Sequence, residues 1–339
     1  MSPTLLDDHD ALLLDLDGTV YRGEAAIDGA AEVVTAAHDH GVAVRFVTNN
    51  ASRAPETVAE QLTGLGVAAE PGEISTSAQA AARMLAERLD QNATVLVVGA
   101  PSLADEVREA GLRPVPTAGA AVGAVVQGLS KDIGWRELAE ATVALNAGAL
   151  WVACNIDPTL PTERGLLPGN GAMVAALRTA TGREPLVAGK PARPLMDDAV
   201  AAAGSTSPLV VGDRLDTDIA GAVAAAVDAL FVLSGVSTAG EVIAAPASQR
   251  PRYLAGDIRG VLRPAEEVEI ARRPAWTVRL DGTTLRVSAG RTARDAISLL
   301  RTLCAVWWSA GSGGMPDFAA TDESAASALS ELGLPAGRK

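Results

Sequence analysis

Cysteine is scarce in this 339-residue chain, with only Cys154 and Cys304, far apart and without ligand spacing. That excludes a disulfide framework and a zinc site of paired thiolates, and it fits a reducing compartment. Lysine is almost as rare: Lys131, Lys190 and Lys339 are its only representatives among 28 basic residues. Against 41 acidic residues the net charge is −13. So acidic a chain is a poor partner for nucleic acid, where binding is dominated by phosphate neutralisation. No window of about 20 residues is free of charge, so no membrane span is expected. The best candidate, residues 221 to 236, is short and contains Asp228. The N-terminus lacks the basic-then-apolar pattern of an export signal, and a cytoplasmic location is the expectation.

What the chain does have is a set of short apolar runs that end in polar clusters. Residues 11 to 19 read Ala-Leu-Leu-Leu-Asp15-Leu-Asp17-Gly18-Thr19. Four consecutive apolar residues fit a strand buried on both faces of a parallel sheet. Ligands of open α/β sheets sit beyond the carboxyl ends of such strands, where Asp15 and Asp17 would emerge. A calcium loop fails on spacing, because Gly18 follows Asp17 at once and Ala26 occupies the position where that loop needs Glu. Residues 42 to 47 form a second such run, ending in Thr48-Asn49-Asn50. Leu186-Val-Ala is a third, ending in Gly189-Lys190-Pro191. Pro208-Leu-Val-Val is a fourth, ending in Gly212-Asp213 with Asp216 and Asp218 before a helix. Carboxylates, hydroxyl and amide donors and one ammonium could together hold magnesium and a phosphoryl group. Lys190 suits a phosphoryl oxygen beside a carboxylate better than a broad guanidinium would.

These four segments, in this order, resemble the haloacid dehalogenase superfamily of phosphohydrolases. The long insert between the second and third looks like the α/β cap of the NagD-like branch, which includes glycerol-phosphate, phosphoglycolate, nucleotide and pyridoxal-phosphate phosphatases. The resemblance implies an α/β fold with a Rossmann-like parallel sheet core over residues 1–90 and 183–265. It implies an inserted cap at 91–182. A small α+β extension at 270–339 lies outside it. It further implies Asp15 as nucleophile, Asp17 as general acid, and Mg2+ held by Asp15, the Asp17 carbonyl and Asp213. Thr48, Asn49, Asn50 and Lys190 would bind phosphate, and Asp218 would act from behind, with Asp216 left open as its substitute. An acid at position 17 favours phosphate esters over carbon–halogen bonds. The alternative of another class is a non-catalytic regulatory protein whose function lies in the tail.

Within the cap, residues 155 to 170 are dense in Pro and Gly, which predicts a shaped loop rather than a regular element. Arg164 is the only cation of this loop, which makes it the candidate substrate contact. The loop has no aromatic residue, and the whole cap holds only Trp135 and Trp151, so a base or pyridine ring has little to stack on. A small polyol or hydroxy-acid phosphate is the expected substrate, glycerol 3-phosphate first and 2-phosphoglycolate second. In the tail, residues 276 to 287 alternate apolar and polar around Asp281-Gly282, a hairpin signal. Ala293, Ile297, Leu300, Cys304 and Trp307 follow at helical spacing, and Asp317 is placed to cap a last Ala-rich helix. So small an apolar piece is expected to pack on the phosphatase or on a second copy of the chain. It shows no Arg-x-x-Gly-x-Gly/Ala loop of acyl-CoA transferases, so no second catalytic activity is expected.

Overall fold

The computed structural model describes residues 3–338 apart from 120, 163, 292–294, 312 and 336. Glu163 of the cap loop and Ala293 of the tail repeat therefore lie outside the described residues. Two compact units emerge, residues 1–44, 65–67 and 203–339 in one and residues 45–64 and 68–202 in the other.

The first unit is built on parallel strands. Tyr253–Ala255, Asp228–Val232, Pro208–Gly212 and Ala11–Leu14 lie side by side in that order, with Leu14 opposite Val211, Val211 opposite Leu230 and Leu230 opposite Tyr253. Every residue of Ala11–Leu14 is buried, which is why this strand reads as a continuous apolar run rather than an alternation. Pairing continues one step beyond its end, since the Asp15 N–H donates to the Val211 carbonyl at 2.9 Å. After Pro208–Gly212 the chain passes into a five-residue π-helical turn, Leu215–Ile219, and then the helix Ala220–Ala225. Such turns are rare and concentrate at functional sites.

The tail belongs to this unit. Its hairpin pairs Trp276–Asp281 with Thr284–Ala289, and inward Trp276 and Val278 alternate with exposed Thr277 and Arg279. The helix Ala296–Ser309 follows, with the Asp295 carboxylate accepting from the Ile297 and Ser298 N–H groups. The last cap departs from expectation. Asp317 opens a strand, Asp317–Ala320, parallel to the hairpin, and Asp322 caps the helix Glu323–Glu331. Gly337–Arg338 extends the sheet, so the extension is larger than a ββα piece. It docks on its own chain: Trp308 Nε1 donates to the Ile243 carbonyl at 3.0 Å, and a Cβ on Gly240 would meet Met315 Cε at 2.7 Å.

The second unit holds strand Ala43–Thr48, apart from its first two residues, paired in parallel with Ile74–Thr76. It also holds a five-stranded parallel sheet in the order Leu186–Val187, Leu150–Ala153, Val122–Gln127, Thr94–Val98 and Arg113–Val115. Trp151, Val125, Leu96, Leu145 and Val174 fill the core between that sheet and its helices. The predicted loop at 155 to 170 contains regular structure: Thr159–Thr162 and Gly165–Pro168 form a two-stranded hairpin. Proline is tolerated there because such a hairpin consists of two edge strands. Among the described residues, no helix is long and apolar enough to cross a membrane.

Candidate active site

In the first unit the ends of two adjacent strands deliver a carboxylate cluster. Asp15, Asp213 and Asp218 each offer an oxygen, and these atoms lie within 4.8 Å of one another. Asp213 is fully buried and Asp218 nearly so. At 4.8 Å and an effective dielectric near 20, each ionised pair repels by roughly 3.5 kcal/mol. Three such groups persist together where a cation offsets them. The surrounding backbone is shaped to this cluster. Gly18 has φ +92°, and a Cβ there would sit 2.5 Å from Asp213 Oδ2. Gly235 approaches closer still, with Val236 N–H donating to the same oxygen at 2.5 Å. Thr19 Oγ1 reaches Asp213 Oδ1 at 3.5 Å.

The π turn separates the two candidate acids after Asp213. Asp218 turns inward, accepting from the Arg214 N–H at 3.1 Å and joining the cluster. Asp216 is exposed and ion-paired to the Arg214 guanidinium at 2.9 Å. Asp17 is exposed one residue beyond buried Leu16, with Tyr21 Oη donating to its carboxylate at 3.4 Å. An all-oxygen donor set at this spacing suits a hard divalent ion such as magnesium.

The second unit groups most of the remaining predicted residues. Lys190 is 2% exposed, and its Nζ donates to the Val47 carbonyl at 2.9 Å. Asn49 holds the Lys190 backbone from both sides: its Nδ2 donates to the Lys190 carbonyl at 2.9 Å, and its Oδ1 accepts from the Lys190 N–H at 2.8 Å. The same Nδ2 lies 3.2 Å from an Asp157 carboxylate oxygen, and the Asn155 side chain donates to the Asn49 carbonyl at 2.7 Å. Thr48 Oγ1 accepts from the Asn50 N–H, and Asn50 Oδ1 accepts from Ser52. Asn49 therefore acts on Lys190 through its side chain, a role its strand-end position did not signal. Asp157 joins it there. Arg164 sits apart at the exposed tip of the hairpin, its N–H bonded to Thr162 Oγ1 at 3.2 Å. Among the described residues its guanidinium has no hydrogen bond or ion pair. Cys154 and Cys304 are both buried, and burial pushes their thiol pKa values up, so neither is a ready nucleophile.

Comparison with known proteins places this arrangement. The sequence model of the haloacid dehalogenase-like hydrolases matches residues 12–113, and a HAD-hydrolase-like model matches 187–261. Residues 273–334 match a GCN5-related N-acetyltransferase like domain, despite lacking the acyl-CoA loop. A D-glycerol 3-phosphate phosphatase of Mycobacterium tuberculosis is 47% identical over 91% of this chain and 88% of its own length. An acid sugar phosphatase of Staphylococcus saprophyticus is 34% identical over 77% of this chain and 100% of its own. The crystal structure of a glycerol phosphate phosphatase from Mycobacterium tuberculosis in complex with magnesium superposes with a TM-score of 0.94 at 46% identity. That match covers 99% of this chain and 100% of that one. The chain belongs to the haloacid dehalogenase-like hydrolases.

Proposed function

We propose that this protein is a magnesium-dependent phosphomonoesterase that hydrolyses glycerol 3-phosphate through an aspartyl-phosphate. The observation that carries the reading is the cluster of half-buried Asp15 with buried Asp213 and Asp218 at adjacent strand ends. Its donors fit magnesium, with the Asp15 and Asp213 carboxylates and the Asp17 carbonyl as ligands. Bound there, the ion supplies the positive charge that lets a carboxylate approach an anionic phosphate.

Asp15 attacks phosphorus, splitting a difficult hydrolysis into two easier displacements. Asp17, more exposed and two residues on, gives a proton to the leaving oxygen and later takes one from the attacking water. Thr48 and the Asn49 backbone N–H hold equatorial phosphoryl oxygens, since the Asn49 side chain is committed to Lys190. The Lys190 ammonium offsets charge on the transferring group. Asp218 orients from behind. Residues 1–90 and 183–265 are read as the catalytic core and 91–182 as the cap. The two hydrolase matches leave residues 114–186 unmatched, most of them inside that cap, although the first runs on through 91–113. The acidity of the chain argues against nucleic acid as its substrate.

Glycerol 3-phosphate leads because the relative described above acts on it and because the cap loop is polar and free of aromatics. The test is phosphate release from glycerol 3-phosphate, 2-phosphoglycolate, a nucleoside monophosphate and pyridoxal phosphate, with magnesium and with excess chelator. Magnesium-dependent turnover with the highest kcat/KM on glycerol 3-phosphate is expected. Arg164→Ala should impair phosphoglycolate, with its carboxylate, more than glycerol 3-phosphate. A tenfold preference for the nucleotide or pyridoxal phosphate would overturn the substrate, and full activity in chelator would overturn the metal.

A further inference from the structure

The first unit contains a cavity of about 610 Å3 that shares no lining residue with the carboxylate cluster. One wall is the segment after strand Tyr253–Ala255, with Asp257, Arg259, Arg263 and Glu267. The facing wall is the start of the tail, with Arg273, Asp295 and Arg301. Four guanidinium groups against three carboxylates leave the lining at a formal charge of +1, within a chain of −13.

Each carboxylate is already engaged. Asp257 accepts from Arg259 Nε at 3.0 Å, and Glu267 from Arg263 Nε at 2.9 Å. Asp295 is occupied with the Ile297 and Ser298 N–H groups, which also closes the helix terminus to any other anion. That leaves Arg301 without a direct ion pair among the described residues, although the charges of Asp295 and Glu267 act on it from a distance. It is 8% exposed, and its Nε donates to the Leu254 carbonyl at 2.8 Å. Among the described residues, neither of its Nη nitrogens has an acceptor. Arg273 uses both Nη groups on the Glu266 and Glu269 carbonyls, while its buried Nε has no acceptor. Burial lowers the Arg301 pKa to about 10, so the group is still cationic at neutral pH. A largely buried guanidinium with two open Nη donors facing a cavity can take an anionic acceptor there. A guanidinium edge matches two oxygens of a phosphate group, and the volume accommodates a small ester.

We infer that this cavity is a second binding site, for a phosphate group either free or carried on a small ester, anchored by Arg301 and rimmed by Arg259 and Arg263. The test is equilibrium dialysis of radiolabelled orthophosphate against the magnesium-loaded full chain. Arg301→Met keeps the length of the stem and removes the charge, and it should bind one phosphate fewer per chain than the wild type. Should that variant fail to fold, Arg259→Gln with Arg263→Gln is the substitute. Both residues are exposed, and the pair takes the lining from +1 to −1. It should weaken the second site about fivefold or more. The phosphonate analogue of glycerol 3-phosphate, which cannot be hydrolysed, separates the sources: stronger competition than by orthophosphate assigns the ester, and weaker competition assigns the free anion. Unchanged stoichiometry and affinity in a folded variant would overturn the site. Equal displacement by acetate would overturn its assignment to phosphate.

Discussion

Gly235→Ala removes no charge and no hydrogen-bonding group, yet it should disable the enzyme. A Cβ at this position would lie 1.9 Å from Asp213 Oδ2 and 2.2 Å from its Cγ. Ordinary contact begins at 3.4 Å, so the carboxylate or the Gly235 backbone must give way by about 1.5 Å. The shift is resisted by the hydrogen bonds from Val236 N–H and Thr19 Oγ1, which hold the same carboxylate. Magnesium tolerates little change from near-ideal octahedral bonds of about 2.1 Å, so Asp213 could not remain a ligand after such a move. A misplacement of about 1 Å costs on the order of 10²-fold in rate, or about 2.7 kcal/mol of barrier. The assay is initial rate of p-nitrophenyl phosphate hydrolysis against magnesium concentration. Gly235→Ala should lose at least about 10²-fold in kcat/KM and need more magnesium for half-activation, with partial recovery at high magnesium. Gly72→Ala, where a Cβ would meet nothing within 4 Å, is the control and should match the wild type. A Gly235→Ala enzyme with wild-type magnesium dependence would refute the placement of Asp213 as a ligand.

Three further outcomes can be checked. Asp17→Asn should lower kcat by at least about 10²-fold, with the deficit smallest for substrates whose leaving group needs no proton, such as p-nitrophenyl phosphate. Burial beside Glu109, Glu56 and Asp105 raises the Glu106 carboxyl to about 7. The unfolded chain then ionises this group first as pH rises, so stability is lost between about pH 4.5 and 7. Glu106→Gln should therefore stabilise at pH 8 by about 1 kcal/mol, a figure discounted for partial solvation, and change nothing at pH 4.5, as read by thermal unfolding. Deleting residues from 270 onward would uncover the face on which Trp308 and Met315 pack, and it should lower Tm by more than about 5 °C. An unchanged Tm would mean that the docking contributes nothing.

The strands and their polar ends were legible because burial on both faces leaves uninterrupted apolar runs, as in Ala11–Leu14 and Leu209–Val211. Leu186–Val187 departs from that pattern: it is a two-residue edge strand with Leu186 exposed, so the polar end Gly189-Lys190-Pro191 marks it and burial does not. The choice between Asp216 and Asp218 was not legible. Both lie in a wide π turn, and only its winding shows that one pairs outward with Arg214 while the other faces the cluster. Nor was the lock of Asn49 on Lys190 and Asp157, which joins residues 141 and 108 positions apart through amide bonds without local spacing. The hairpin at 159 to 168 was hidden by its prolines, which read as loop chemistry until edge pairing permits them. In the tail, Asp317 and Asp322 are both plausible caps by residue type. The parallel pairing of Asp317–Ala320 with the hairpin assigns the cap to Asp322.

The central claim is that Asp15 carries the phosphoryl group during turnover. Acid quenching during hydrolysis, followed by borohydride reduction and peptide mass spectrometry, tests it directly, because an acyl phosphate is reduced where a free carboxylate is not. Reduction confined to Asp15, dependent on substrate and magnesium, is the predicted result. Steady turnover with an unmodified Asp15, or with reduction at Asp17, Asp213 or Asp218 instead, would contradict it.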